Sequence, residues 1–319
     1  MMVLCTHRVT LTTVVYLYNE MQNAKTGNTG SAKAKNLNTL FSDCMYRTED
    51  YEIKRWAFNT RMNQVHGWND CFCFVLVANG EYSFNISKNR YNTYTGHVII
   101  EKPNFEYSLL PTTGRCTIIN FSNDFYDKLC NEPGINQHAF FFNKNIISQL
   151  LLSNPVIDYL HYKLLSINKN SCRLEIDDTV FELVHELLNG LAGFELQQAP
   201  QQQYPNHQLP VIERAKEYMH QHFKNDISLQ QIAANCYASA FHFSRLFRKF
   251  TLQTPYQYLL NVRLKHSEVL LKNTAMPISE VAFCSGFSGP DYFATAFKKK
   301  YKLMPTDYRK KAVVSGRAK

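Results

Sequence analysis

A chain of 319 residues, 45% hydrophobic and 19% charged, has room for two globular domains and is too ordinary in composition for a collagen-like, low-complexity or transmembrane protein. Its net charge of +9 is unevenly placed: residues from Val211 onward carry +11 and the first 210 carry −2, so the basicity marks one module as a candidate phosphate-binding surface. Nine cysteines, odd in number and scattered through both halves, argue against a disulfide framework and for a reducing compartment, the cytoplasm.

In chain order, residues 1–40 are expected to be poorly ordered, because 22–36 is polar and rich in Gly, Ala and Lys. The apolar stretch 9–18 is too short to cross a bilayer and lacks a small-residue cleavage site, so neither a membrane anchor nor export is expected. Met21 is a candidate alternative translation start. A domain over 41–194 opens with short β-rich runs at 51–58, 71–77, 82–86, 97–101, 107–110 and 116–121, and turn signals such as Asn79-Gly80 and Thr95-Gly96 separate them. Strands so spaced suggest a small sandwich or barrel. Cys71 and Cys73 share one face of such a strand, match no common zinc spacing and fit buried thiols; thiol redox sensing is the minor reading. Helical patterns follow at 145–152, 155–167 and 174–191. The last carries Val180, Val184, Leu187, Leu188 and Leu191 on one face, which must cover either the barrel or the same helix of a second subunit, a homodimer.

Residues 195–209 form a Gln/Pro-rich linker where the charge balance changes. Beyond it, 210–312 contains one helix-turn-helix pattern written twice, followed by a basic tail at 313–319. The first copy runs Leu229, Ile232, Ala233, Ser239, Phe243, Leu246, Phe247; the second runs Ile278, Val281, Ala282, Gly289, Phe293, Ala296, Phe297. The offset is 49 residues in the leading helix and 50 in the second, so one extra residue sits in the second turn. Apolar residues at i, i+3 and i+4 let each helix pair bury a shared face. Thr254 and Pro255 are a cap and first turn for a long helix reaching about Lys272, which would join the two copies rigidly.

The second of each helix pair leaves an outward set that is the candidate reading surface. Ala240, Phe241, Ser244 and Arg245 are the base-reading candidates of the first copy, with Arg245 foremost because a guanidinium spans two acceptors of guanine. Pro290, Asp291, Ala294 and Thr295 hold the equivalent places and include no basic or amide side chain, so weaker sequence reading is expected there. Asp291 is expected to cap its helix rather than read bases. Arg248, Lys249, Lys298 and Lys299 are assigned to phosphates, as are the helix starts near Thr254 and Thr306.

On Leu229-Gln-Gln-Ile-Ala233, Phe247-Arg-Lys249, Thr254-Pro255-x-x-Tyr258-Leu259, Arg263-Leu264, Ile278-Ser-Glu-Val-Ala282, Gly286-Phe287, Asp291-Tyr-Phe293, Phe297-Lys-Lys299 and Pro305-x-x-Tyr308-Arg309, the last hundred residues resemble the AraC/XylS family of regulators. The family favours Gly where Leu252 and Lys302 stand, Ala at Ser267 and Arg at Thr295. The resemblance implies a double-stranded DNA-binding transcription regulator with RNA polymerase as a partner if it activates. It also implies a cupin-like amino-terminal domain that binds a small-molecule effector, with His66, Gly80, Gly96 and Pro103 at matching places. Trp68 and Tyr107 stand where a cupin metal site places further histidines, and one imidazole cannot hold a catalytic metal, so neither metal nor cofactor is expected. The effector pocket would be lined by Trp56, His66, Trp68, Phe72, Tyr82 and Tyr107. Two alternatives stand beside this reading: a constitutive DNA-binding protein whose first domain only dimerises, and an alkyl-transfer repair enzyme, against which no Cys lies in a Pro-Cys-His setting.

Overall fold

The computed structural model describes residues 39–59, 64–86, 89–132, 135, 138–168, 171–192 and 208–317. The polar amino-terminal segment, including Met21, and nearly all of the Gln/Pro linker lie outside these residues. The described residues divide into two compact units, one of 39–153 with 165–192 and one of 154–164 with 208–317. The helix at 155–165, grouped by sequence with the amino-terminal domain, therefore falls in the second unit. No helix among the described residues is long and apolar enough to cross a membrane.

The first unit is built on an antiparallel nine-stranded sheet: β1 (Thr39–Arg47), β2 (Tyr51–Asn59), β3 (Val65–Asn69), β4 (Phe72–Ile86), β5 (Asn89–Tyr94), β6 (His97–Glu101), β7 (Phe105–Leu109), β8 (Thr113–Phe121) and β9 (Ser148–Leu152). The main path runs β1-β2-β8-β4-β6-β9, while β5 and β7 pair with the far half of β4, and β3 pairs with β7. The sheet bends on itself without closing, so the expected barrel is an open one. The bend is made inside β4, where the register with β8 shifts between Val77 and Asn79 and Gly80 takes a φ of 71°. A Cβ on Gly80 would stand 2.2 Å from the Thr113 carbonyl oxygen, so the side chain is excluded twice over. Asn79-Gly80, read as a turn between two strands, is this kink within one.

Residues 145–152, expected to be helical, are instead the turn into β9 and β9 itself, which pairs with β6 from His97↔Leu152 to Glu101↔Ser148. A short run of apolar residues has no period by which to tell the two apart, and the open edge of β6 decides it. The sheet's outer face is covered by α1 (Asn123–Asn131), α2 (Ala139–Phe142) and α4 (Arg173–Ala192). Val180, Leu183, Leu187 and Leu191 of α4 are buried, Tyr51 bonds to Asp177, and His138 Nε2 lies 2.7 Å from the Leu191 carbonyl oxygen. The apolar stripe of α4 thus covers its own sheet and does not require a second subunit.

The second unit joins α3 (Pro155–Leu165) to α5 (Leu209–His222), α6 (Leu229–Asn235), α7 (Ala240–Thr251), α8 (Pro255–Asn273), α9 (Ile278–Cys284), α10 (Pro290–Tyr301) and α11 (Pro305–Arg317). The pairs α6–α7 and α9–α10 are the two helix-turn-helix copies. Their turns repeat: Tyr237 and Gly286 are left-handed, with φ of 55° and 84°, and Ala238 and Phe287 each return an N–H to the first helix over 3.0 Å. The extra residue of the second copy, Ser288, follows that common turn. Thr254 caps α8 reciprocally with Gln257, through N–H donations of 3.2 Å to the Thr254 hydroxyl and 3.0 Å to the Gln257 amide.

Candidate nucleic-acid interface and sheet interior

On α7, Phe243, Leu246 and Phe247 are buried and Phe241, Arg245, Arg248 and Lys249 are exposed, with Ala240 and Ser244 half-buried between them. Ser239 caps the helix through the His242 N–H. The Arg245 guanidinium carbon lies 5.6 Å from the centre of the Phe241 ring, one turn away, so the ring holds the cation over the helix's open face. This helix presents an apolar plate, a bidentate donor and two flanking cations on one side.

On α10, Phe293 and Phe297 are buried, Asp291, Thr295, Lys298 and Lys299 are exposed, and Pro290 and Ala294 are half-buried. Asp291 is not the cap. Gly289 occupies that position, Pro290 takes the first helical place and Asp291 the second, where its charge faces the positive end of the helix. A proline at the first place fits the missing N–H, so the cap moves one residue before it. Thr295 donates its hydroxyl back to the Asp291 carbonyl at 2.9 Å, which leaves no side-chain donor free among Pro290, Asp291, Ala294 and Thr295. Lys300 is drawn to Asn261 Oδ1 at 2.7 Å.

The helix starts assigned to phosphates differ from one another. At Thr254 both the hydroxyl and the N–H are engaged by Gln257, so this end is internally capped rather than open. Thr306, in the first turn of α11, is exposed. Sequence reasoning passed over Tyr256 and Tyr292, both exposed, whose hydroxyls meet between the amino ends of α8 and α10. Their separation of 36 residues leaves no periodic signal.

Of the six residues read as a pocket, the structure brings together three. Trp56, Tyr82 and Tyr107 lie in one cluster inside the bent sheet, with Cys73, Val75, Phe84, Ile99 and Cys116. Phe72 does not belong: it alternates with Cys73, faces the opposite side of the sheet, and stacks on Tyr126 of α1 at 4.9 Å. His66 is exposed and Trp68 half-buried on β3. Among the described residues no group of His, Cys, Asp and Glu is placed to hold a metal ion.

The residue that sequence reading missed there is Glu101. Buried beside Cys73, whose thiol donates to it over 3.3 Å, its carboxyl is raised to about 7 by burial. Its charge in turn helps to push the Tyr82 and Tyr107 hydroxyls and the Cys73 and Cys116 thiols upward, after burial itself. Trp56 Nε1 and the Tyr107 hydroxyl are buried in the same cluster without hydrogen-bond partners among the described residues. Strand alternation carried the signal, since Glu101 sits two residues from Ile99 on the inward face.

A family model described as a helix-turn-helix domain matches residues 232–311. Over 272 residues the chain is 22% identical to YdeC of Bacillus subtilis (strain 168), an uncharacterised HTH-type transcriptional regulator, covering 81% of this chain and 92% of that one. Over 98 residues it is 31% identical to AdaA of the same organism, a bifunctional transcriptional activator and DNA repair enzyme, covering 31% of this chain and only 46% of AdaA. The solved carboxyl-terminal domain of AraT, a response regulator from Geobacillus stearothermophilus, aligns with 31% identity and a TM-score of 0.31, over 32% of this chain and 85% of that one. The carboxyl-terminal domain, with the motif series and the two helix-turn-helix copies just described, is an AraC-type helix-turn-helix domain, and the relatives that it matches are transcription regulators.

Proposed function

We propose that the chain is a cytoplasmic, effector-responsive regulator in which α7 reads sequence and α10 mainly anchors. The asymmetry of the two outward faces carries this reading: Arg245 over Phe241 on one helix, a back-bonded Thr295 and an acidic Asp291 on the other. Arg245 suits guanine O6 and N7, and the exposed Phe241 ring suits a neighbouring thymine methyl. Arg248, Lys249, Lys298 and Lys299 supply phosphate contacts, so affinity falls steeply with salt. Recognition helices fixed by α8 would meet successive major grooves about 34 Å apart.

Arg245→Ala is expected to cost about 1–3 kcal/mol and to relax preference at one base pair. Lys298→Ala is expected to weaken all sequences alike and to lower the salt slope by about one. Selection from a random duplex pool with the wild type and both variants tests this, and uniform losses in both variants would overturn the division. For the effector, the unpartnered Trp56 and Tyr107 donors and the Glu101 carboxyl support a small polar molecule held inside the sheet. A thermal-shift screen against metabolites, repeated on Glu101→Gln, tests it. Hits that stabilise both proteins equally would place the site elsewhere.

A further inference from the structure

Each copy of the helix-turn-helix rests its recognition helix on a tyrosine. Phe247 of α7 meets Tyr258 edge-on, with ring centres 5.3 Å apart and planes at 85°; Phe297 of α10 meets Tyr308 at 5.3 Å and 81°. Both tyrosines follow their phenylalanine by eleven residues, and both give their hydroxyl to a carboxylate that lysine backs. In the second copy the parts come from its own neighbourhood: Tyr308 donates to Glu268 Oε1 at 2.5 Å, and Lys265 and Lys272 hold Glu268 at 2.8 and 2.7 Å.

In the first copy the carboxylate comes from elsewhere in the chain. Tyr258 donates to Asp158 Oδ2 at 2.7 Å, and Lys216 of α5 holds the same oxygen at 2.7 Å. Asp158 lies on α3, a hundred residues before Tyr258. Its side chain is 13% exposed and that of Lys216 12%, so neither charge has water as an easy substitute. Burial alone would raise the Asp158 carboxyl, but the Lys216 charge and the Lys216 and Tyr258 hydrogen bonds outweigh it and hold it below the usual range. Because Tyr258 spends its proton on Asp158, it must accept from His220 Nε2, 3.0 Å away, which fixes that ring's tautomer. Tyr159 of α3 adds a bond of 2.8 Å to His266 of α8.

We infer that Asp158 is a positioning residue for the first reading head: α3 supplies, from outside the duplicated domain, the carboxylate that seats Tyr258 and through it α7. This rests on the reading of α7 given above. It also gives the first unit a covalent lead to the DNA-binding one, since α3 begins three residues after β9 ends, and β9 is paired to the strand that carries Glu101. Among the described residues the equivalent parts of the second copy lie in α8 and α11.

The test is footprinting of full-length protein on a duplex selected by the wild type. Asp158→Asn leaves Lys216 charged and unmatched, and protection over the α7 half-site is expected to fall at least tenfold while that over the α10 half-site holds. Asp158→Asn combined with Lys216→Met removes both charges and is expected to recover most of the loss. Equal protection by Asp158→Asn and wild type at both half-sites would overturn the inference, as would a loss at both half-sites that the double variant does not repair, the mark of simple unfolding. A wild type that protects no duplex would instead overturn the DNA-reading proposal itself.

Discussion

Leu252 and Lys302 close α7 and α10 in the left-handed conformation, with φ of 57° and 63°, where the AraC-type pattern favours glycine. Both side chains are exposed and gain little from packing, while an L-residue in that region costs about 1–2 kcal/mol. Glycine removes that strain but loses about 0.5–1 kcal/mol of backbone entropy. Leu252→Gly and Lys302→Gly should therefore each stabilise the second unit by about 0.5–1 kcal/mol, read as a shift in the denaturant midpoint at constant slope. A fall in midpoint for either would show that its side chain does more than end a helix. Ser267, in place of the usual alanine, is already accommodated, because its buried hydroxyl donates to the Leu264 carbonyl at 2.7 Å.

What could be read from the amino acids differs by kind of element. Both helix-turn-helix copies, their buried Phe243, Phe247, Phe293 and Phe297, and the Thr254 cap were legible because helix period and capping are local. Strands β2, β6, β7 and β8 were legible from β-rich runs between turn signals. β9 was not, because its helix-like apolar run becomes a strand only through the partner edge of β6. Glu101 was within reach of alternation, whereas Asp158 and the Tyr256–Tyr292 pair depend on partners 36 to 100 residues away. The bend in β4 shows the same limit, since Asn79-Gly80 signals a turn equally well in a hairpin or a kink. Gly80→Ala should destabilise the first unit by about 2–3 kcal/mol, from left-handed strain plus the Thr113 clash. Melting of the variant with unchanged stability would mean that the strand bends elsewhere.

Across the whole molecule the two units carry buried titratable groups of opposite sign, and acid should separate them. In the second unit His161, His220 and His266 are lowered to about 4, first by burial and then, for His266, by Lys224 and Lys163; for His161 and His220 the Asp158 charge opposes this and Lys216 adds to it. A depressed folded value means that the unfolded chain takes up protons first. Stability is intact above the unfolded value near 6.5 and is lost as pH falls from there toward 4. By pH 5.5 each histidine costs about 1 kcal/mol. Glu268, held at about 2 by its lysines against the burial that would raise it, keeps its contribution over this window and loses it only in stronger acid. Glu101 in the first unit behaves in reverse: its folded value near 7 exceeds the unfolded one, so stability lost at neutral pH returns as pH falls, by about 1.5 kcal/mol between pH 7 and 5.5. Calorimetric scans from pH 7.5 to 5.5 should show the transition of the helical unit moving down while that of the sheet unit rises or holds. Glu101→Gln should flatten the second trend and leave the first unchanged. Two transitions that fall together, unaffected by Glu101→Gln, would show that these buried groups do not control the acid response.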